Sequence, residues 1–237
     1  MPMRMKTIVL SGPGKNSLST AVIQTALDAV RASKDEPIFL TGDGEVFSAG
    51  LNLTEVADGD VPSLLAYLGK LEALVDALYE HPAPTLAYVN GHAIAGGCVL
   101  ALACDVRVMT GREGPRIGLN EVALGLKFPP KTFAMVRARL VGPALARAVL
   151  EAGLFTAAEA KELGMVTAIG EEADARARFE TLASFPRQAY ADSKKAILPR
   201  LTISEAEARA FRDEVVPYWA SDEIKSRVRA VLLKKKK

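Results

Sequence analysis

Cysteine, histidine and aromatic residues are scarce in this chain, and the charge is close to balanced. Only two cysteines occur among the 237 residues. Cys98 and Cys104 share one apolar stretch and lack any zinc-type partner spacing, so a reducing cytoplasm is the setting that fits. No apolar run approaches the roughly 20 residues needed to span a membrane. Met1 to Gly14 holds only the short run Ile8-Val9-Leu10, too little for a secretory signal. The final lysines, Lys234 to Lys237, do not spell a Ser-Lys-Leu peroxisomal address. A formal charge of +2 gives no reason to expect nucleic acid as a partner, although a local basic cluster could still meet a phosphate-bearing ligand. What is present is ordinary globular material, 49% hydrophobic and 24% charged, enough to bury a sizeable core.

Four apolar, β-rich runs stand out: Thr7 to Leu10, Ile38 to Thr41, Thr85 to Val89 and Val106 to Met109. Between them, Val22, Ile23, Ala26, Leu27 and Val30 recur at helical spacing, as do Leu64, Leu65, Leu68, Leu71, Val75 and Leu78. Strands alternating with helices predict an α/β fold. Beyond Pro129 the pattern turns mostly helical. Pro130 suits a first helical position before Lys131 to Leu140. Thr156 with Glu159, and Ser204 with Glu207, make capping boxes. Gly164 ends the first of those capped helices, and a short strand is expected over Met165 to Ile169. The stripe Phe211, Val215, Trp219, Ile224, Val228 and Val231 predicts a helical end that buries against the body or another subunit. A core over residues 1–185 and a helical region over 186–237 follow.

Two glycine-rich segments, each directly after a strand, carry the chemistry. The first runs from Gly42 to Leu53 and contains Phe47-Ser48-Ala49-Gly50-Leu51-Asn52. The second is Asn90-Gly91-His92-Ala93-Ile94-Ala95-Gly96-Gly97-Cys98-Val99, running on to Cys104-Asp105. Gly96 and Gly97 would open an apolar helix whose first N–H groups have no internal partner. Such donors stabilise an oxygen that becomes negative during reaction, by about 3–4 kcal/mol each when well aimed. Alone, either segment reads as a plain turn.

Together, in this order, they resemble the crotonase (enoyl-CoA hydratase/isomerase) superfamily, from about Lys6 to the C-terminus. The resemblance implies a crotonase spiral of strand–strand–helix turns with a helical C-terminal part through which relatives form trimers or paired trimers. It implies an acyl-CoA thioester as substrate, with coenzyme A carried by the substrate and no separate cofactor or metal. The peptide N–H groups of Leu51 and Gly96 would form an oxyanion hole, and Ser48, Ala49 and Gly50 would lie along the adenine and pantetheine. Lys15 falls where relatives place a basic or small residue near the coenzyme A phosphates; Lys225 and Arg229 are weaker candidates for that task. Three departures matter. Asn52 replaces the usual aspartate, Ala95 replaces the first glycine of a triplet, and Val99 stands where water-adding members carry a glutamate. The second family glutamate is present, as Glu121. The run Ile117 to Glu121, with Leu124-Gly125-Leu126, looks more like the Δ3,Δ2-enoyl-CoA isomerase branch.

A double-bond shift needs a single carboxylate whose proton affinity is raised by burial, so Glu121 is the expected base and acid. Competing readings are a hydratase of altered scope and a catalytically silent acyl-CoA-binding subunit. Cys98 with His92 as a hydrolase pair, Ser48 as a nucleophile, and Asp43 with Glu45 as metal ligands are each outweighed by structural roles. His81 reads as a helix-end residue, and Asp105 as the anchor of a turn.

Overall fold

The computed structural model describes residues 5–234, so the expectations about the first four residues and the last lysines lie outside it. Eight strands form two parallel sheets. The larger is ordered β1 (Lys6–Leu10), β2 (Ile38–Gly42), β4 (Thr85–Val89), β6 (Val106–Met109) and β8 (Ala168–Ile169); the smaller is β3 (Val46–Ser48), β5 (His92–Ile94) and β7 (Ile117–Gly118). From β2 onward successive strands enter alternate sheets, and the chain advances as a spiral. Registers such as Ile38↔Thr85 and Leu86↔Val106 keep the large sheet in step.

Strands β2 and β4 are buried on both faces, which is why they read as unbroken apolar runs rather than alternating ones. One face meets the main core. The other is covered by Phe39, Leu86, Tyr88 and Val108 packing on Ala175 and Phe179. The turn between sheets is held by Asn90, whose amide donates to the carbonyls of Gly42 (2.9 Å) and Gly44 (2.8 Å) and accepts from the Gly42 N–H (3.1 Å).

The helices are α1 (Pro13–Asn16), α2 (Thr20–Ala32), α3 (Leu53–Asp58), α4 (Val61–Tyr79), α5 (Gly96–Ala103), α6 (Pro130–Arg139), α7 (Pro143–Leu150), α8 (Ala157–Glu162), α9 (Glu172–Ala183), α10 (Arg187–Ile197), α11 (Glu205–Ala210), α12 (Val216–Trp219) and α13 (Asp222–Lys234). Segment α1 is helical in name only, because Gly14, Lys15 and Asn16 take left-handed conformations. Both expected capping boxes form, and Gly164 closes α8 at φ 72°. The strand expected over Met165 to Ile169 shrinks to its last two residues.

The C-terminal stripe departs from one continuous helix. Pro217 has no N–H to continue the ladder, and the preceding residues 211–215 widen into a π turn in which Val216 N–H reaches back to Phe211. Phe211, Val216, Trp219, Ile224 and Val228 are buried in the same core as the sheets. The stripe is consumed within the chain. Among the described residues no helix is long and apolar enough to cross a membrane.

Asp105 fixes more than a turn. It accepts from the Thr85 N–H (3.0 Å), from the Tyr190 hydroxyl (3.1 Å) and from buried Lys194 (2.9 Å), and it faces Arg139 at 3.5 Å. Through these bonds α10 is locked onto the end of α5. Replacing Asp105 with Asn leaves two half-compensated buried cations, and urea unfolding is expected to show a loss of about 3 kcal/mol or more.

Candidate active site

The two glycine-rich segments meet backbone to backbone. A side chain on Gly50, which sits at φ 86°, would lie 2.6 Å from the Ile94 carbonyl and 3.4 Å from the Gly96 nitrogen. One on Gly97 would lie 2.6 Å from the Ser48 carbonyl. Only residues without Cβ allow this approach. As a result Leu51 and Gly96 line one small cavity, together with Leu68, Leu71, Val99, Glu121, Phe128, Pro129, Thr132 and Trp219.

The orientation of both amides follows from peptide planarity. The Gly50 carbonyl accepts from the Leu18 N–H (2.8 Å), so the Leu51 N–H in the same trans peptide points the opposite way. The Ala95 carbonyl accepts from the Val99 N–H (2.9 Å), so the Gly96 N–H points back out of the helix. Among the described residues neither N–H donates to a side chain or to a backbone carbonyl outside its own element. The N-terminal end of α5 adds its partial positive field to this spot.

Glu121 follows β7 and starts a short 3-10 turn, Val122–Leu124, its own carbonyl accepting from Leu124 and Leu126 N–H. Its residue is only 6% exposed, and Oε2 has no hydrogen-bond partner. Burial pushes its carboxyl up to about 8. Thr132 is also unpartnered and buried on the cavity wall. Val99 is 1% exposed and supplies apolar wall where a second acid could have stood. Glu121 is the only titratable side chain of that wall.

The other expected positions lie along the rim or inside. Lys15 is exposed, and its carbonyl accepts from the Ala49 N–H (3.0 Å), which ties it to the Ser48–Gly50 stretch. Ser48 is fully buried, its hydroxyl donating to the Asn16 carbonyl (2.8 Å) and accepting from the Gly50 N–H (3.2 Å). Its side chain braces the loop instead of facing a ligand. Asn52 caps α3. Arg229 is engaged within the chain, donating to the Ala57 carbonyl (3.2 Å) and facing Asp58. His92 accepts from the Arg116 N–H (3.1 Å), and the Cys98 thiol is pushed well up by burial, with Glu121 beside it. Neither is an activated nucleophile or base. Among the described residues no cluster of His, Cys, Asp or Glu could hold a metal. Sequence reasoning passed over Thr132 and Tyr67. Both are polar members of otherwise apolar helix faces.

The sequence matches a family model described as enoyl-CoA hydratase/isomerase over residues 4–236. It is 32% identical over 180 residues to an enoyl-CoA delta isomerase 1, peroxisomal, of Arabidopsis thaliana, covering 72% of this chain and 74% of that one. It is 33% identical over 171 residues to 2,3-dehydroadipyl-CoA hydratase of Escherichia coli, covering 69% of this chain and 65% of the relative. The fold superposes on the human mitochondrial delta3-delta2-enoyl-CoA isomerase with a TM-score of 0.84 at 25% identity, over 97% of this chain and 94% of that one.

Two predictions come from this geometry. Ala95 holds φ 49° and ψ −118°, a conformation suited to glycine. Ala95→Gly is therefore expected to raise stability by about 1 kcal/mol in urea unfolding. The unfolded chain releases the Glu121 proton near 4.5 and the folded chain near about 8, so stability falls as pH rises across that window. The Tm of Glu121→Gln should gain on the natural protein from pH 5 to pH 8, by an amount worth at least about 1 kcal/mol. A difference that stays flat with pH contradicts a buried, proton-holding Glu121.

Proposed function

The chain belongs to the enoyl-CoA hydratase/isomerase family, and on that premise we propose that it shifts the double bond of a 3-enoyl-CoA to the 2-position. The observation carrying this reading is one buried carboxylate, Glu121, on an apolar wall that also presents Leu51 and Gly96. Glu121 removes a proton from C2. The charge moves onto the thioester oxygen, where the Leu51 and Gly96 N–H groups receive it. The same carboxyl then returns the proton at C4, and the conjugated thioester leaves. No water enters the reaction. A raised proton affinity suits a group that must both take and give back a proton.

Water addition to a 2-enoyl-CoA is the competing chemistry within the family. It is served by two carboxylates, and Val99 occupies the second position. A silent binding subunit would need no such buried acid. Lys15, beside the Ser48–Gly50 stretch, is the residue proposed to meet the coenzyme A phosphates. Assembly into trimers or paired trimers belongs to the same reading. With the C-terminal stripe used internally, exposed apolar residues such as Val141, Leu150 and Ile197 are candidates to serve it.

The test is incubation with 3-hexenoyl-CoA and, separately, crotonyl-CoA, with products read by NMR. Formation of the 2-enoyl thioester without hydration supports the reading; hydration of crotonyl-CoA at a comparable rate overturns it. Glu121→Gln should cut the isomerisation rate by a factor of about 10²–10⁴. In the natural protein kcat/KM should climb with pH and level off above about 8, because the base works only when ionised.

A further inference from the structure

The geometry points to the Tyr67 hydroxyl as the positioning residue that aims the Leu51 N–H. This inference rests on the reading of Leu51 and Gly96 as the oxyanion hole. Tyr67 lies on α4, is 3% exposed, and is not among the residues that line the cavity. Its ring sits in the main core, yet its hydroxyl makes two bonds outside its own helix. It donates to the Leu18 carbonyl and accepts from the Asn52 N–H at 3.1 Å.

Those two bonds pin both peptide planes that flank Leu51. The Leu51–Asn52 plane is held directly, because its N–H points at the Tyr67 oxygen. The Gly50–Leu51 plane is held through Leu18, whose N–H donates to the Gly50 carbonyl (2.8 Å) while its own carbonyl is tied to Tyr67. A direct bond from Asn52 N–H to the Leu18 carbonyl also exists, but at 3.4 Å it is long. The hydroxyl is therefore the short, rigid link between the Leu18 segment and the loop carrying Leu51. A peptide plane pinned at its carbonyl alone can still rock about that bond. With the next plane, Leu51–Asn52, held as well, the turn at Leu51 is fixed and its N–H keeps one direction. Burial pushes the Tyr67 hydroxyl above its ordinary range, so it stays protonated and remains a donor at every working pH. The remaining donor, Gly96, needs no such device, since the first turn of α5 fixes it.

Tyr67→Phe removes both bonds and keeps the ring. Tyr79→Phe is the matched control: it deletes a second α4 hydroxyl, which donates to the Pro199 carbonyl (3.1 Å) and lies away from the cavity. The readouts are urea unfolding, kcat and KM for 3-hexenoyl-CoA, the pH profile, and the absorption red shift of a bound 2,4-dienoyl-CoA, which reports polarisation of the thioester carbonyl. For Tyr67→Phe, kcat should fall about tenfold or more with KM changed by less than about threefold. The red shift should shrink, and the rise of activity towards pH 8 should keep its midpoint. Tyr79→Phe, which removes one hydrogen bond, should lose some stability and keep both kcat and the red shift. A natural protein that isomerises and red-shifts the thioester, with Tyr67→Phe doing both equally well, overturns the role of Tyr67 alone. A natural protein that does neither overturns the oxyanion-hole reading and this inference with it.

Discussion

The contact between two glycine-rich turns is the constraint on which the site depends. Gly50 against the Ile94 carbonyl, and Gly97 against the Ser48 carbonyl, leave no room for even a methyl group. Because the backbones touch there, a loop after β3 and a helix start after β5 contribute neighbouring amides although they lie more than forty residues apart. The parallel register of β3 with β5, Val46↔His92 and Ser48↔Ala93, delivers both segments to the same end of the small sheet. Everything chemical in the account, from the direction of the Leu51 N–H to the field at the head of α5, follows from that meeting.

Around this contact the structure sets a polar centre in apolar walls. Leu68 and Leu71 come from α4, Phe128 and Pro129 from the approach to α6, and Trp219 from α12, with the Trp219 indole N–H anchored on the Lys127 carbonyl (3.1 Å). Such surroundings penalise the ionised form of Glu121, which gives up native stability for proton affinity. The unpartnered Oε2 of Glu121 and hydroxyl of Thr132 are further costs of the same kind, each of order 1–3 kcal/mol when nothing binds. Strain at Ala95 belongs with them. Clustered costs of this sort mark the place where the fold serves chemistry instead of its own stability.

Much of the fold was legible in the sequence because the central strands of the large sheet, β2 and β4, are buried on both faces and leave uninterrupted apolar runs. The 85–89 and 106–109 strands fall where the pattern puts them. Strands β3, β5 and β7 were not legible. They are two or three residues long, and only pairing across the spiral defines them. The C-terminal stripe announced burial but not against what, since its partners are the core side chains of distant segments. At the site, the paired glycine motifs were readable through family resemblance. The burial of Glu121 was expected from the chemistry alone and from no local pattern, because its walls come from segments up to about a hundred residues away. Tyr67 was hidden for a related reason. On a helix wheel it is one more member of an apolar stripe, and its hydroxyl has meaning only once Leu18 and Asn52 are brought beside it. The inward turn of the Ser48 side chain was equally invisible, since a motif fixes where the backbone runs but not which hydroxyls it consumes.

The most direct measurement is a crystal structure of the protein with a saturated acyl-CoA, which binds as the substrate does but has no double bond to move. If the Leu51 and Gly96 N–H groups form the oxyanion hole, the thioester oxygen lies about 3 Å from both nitrogens, with the Glu121 carboxyl over C2. A carbonyl bound by other donors, or a Glu121 turned away from the acyl chain, would contradict it.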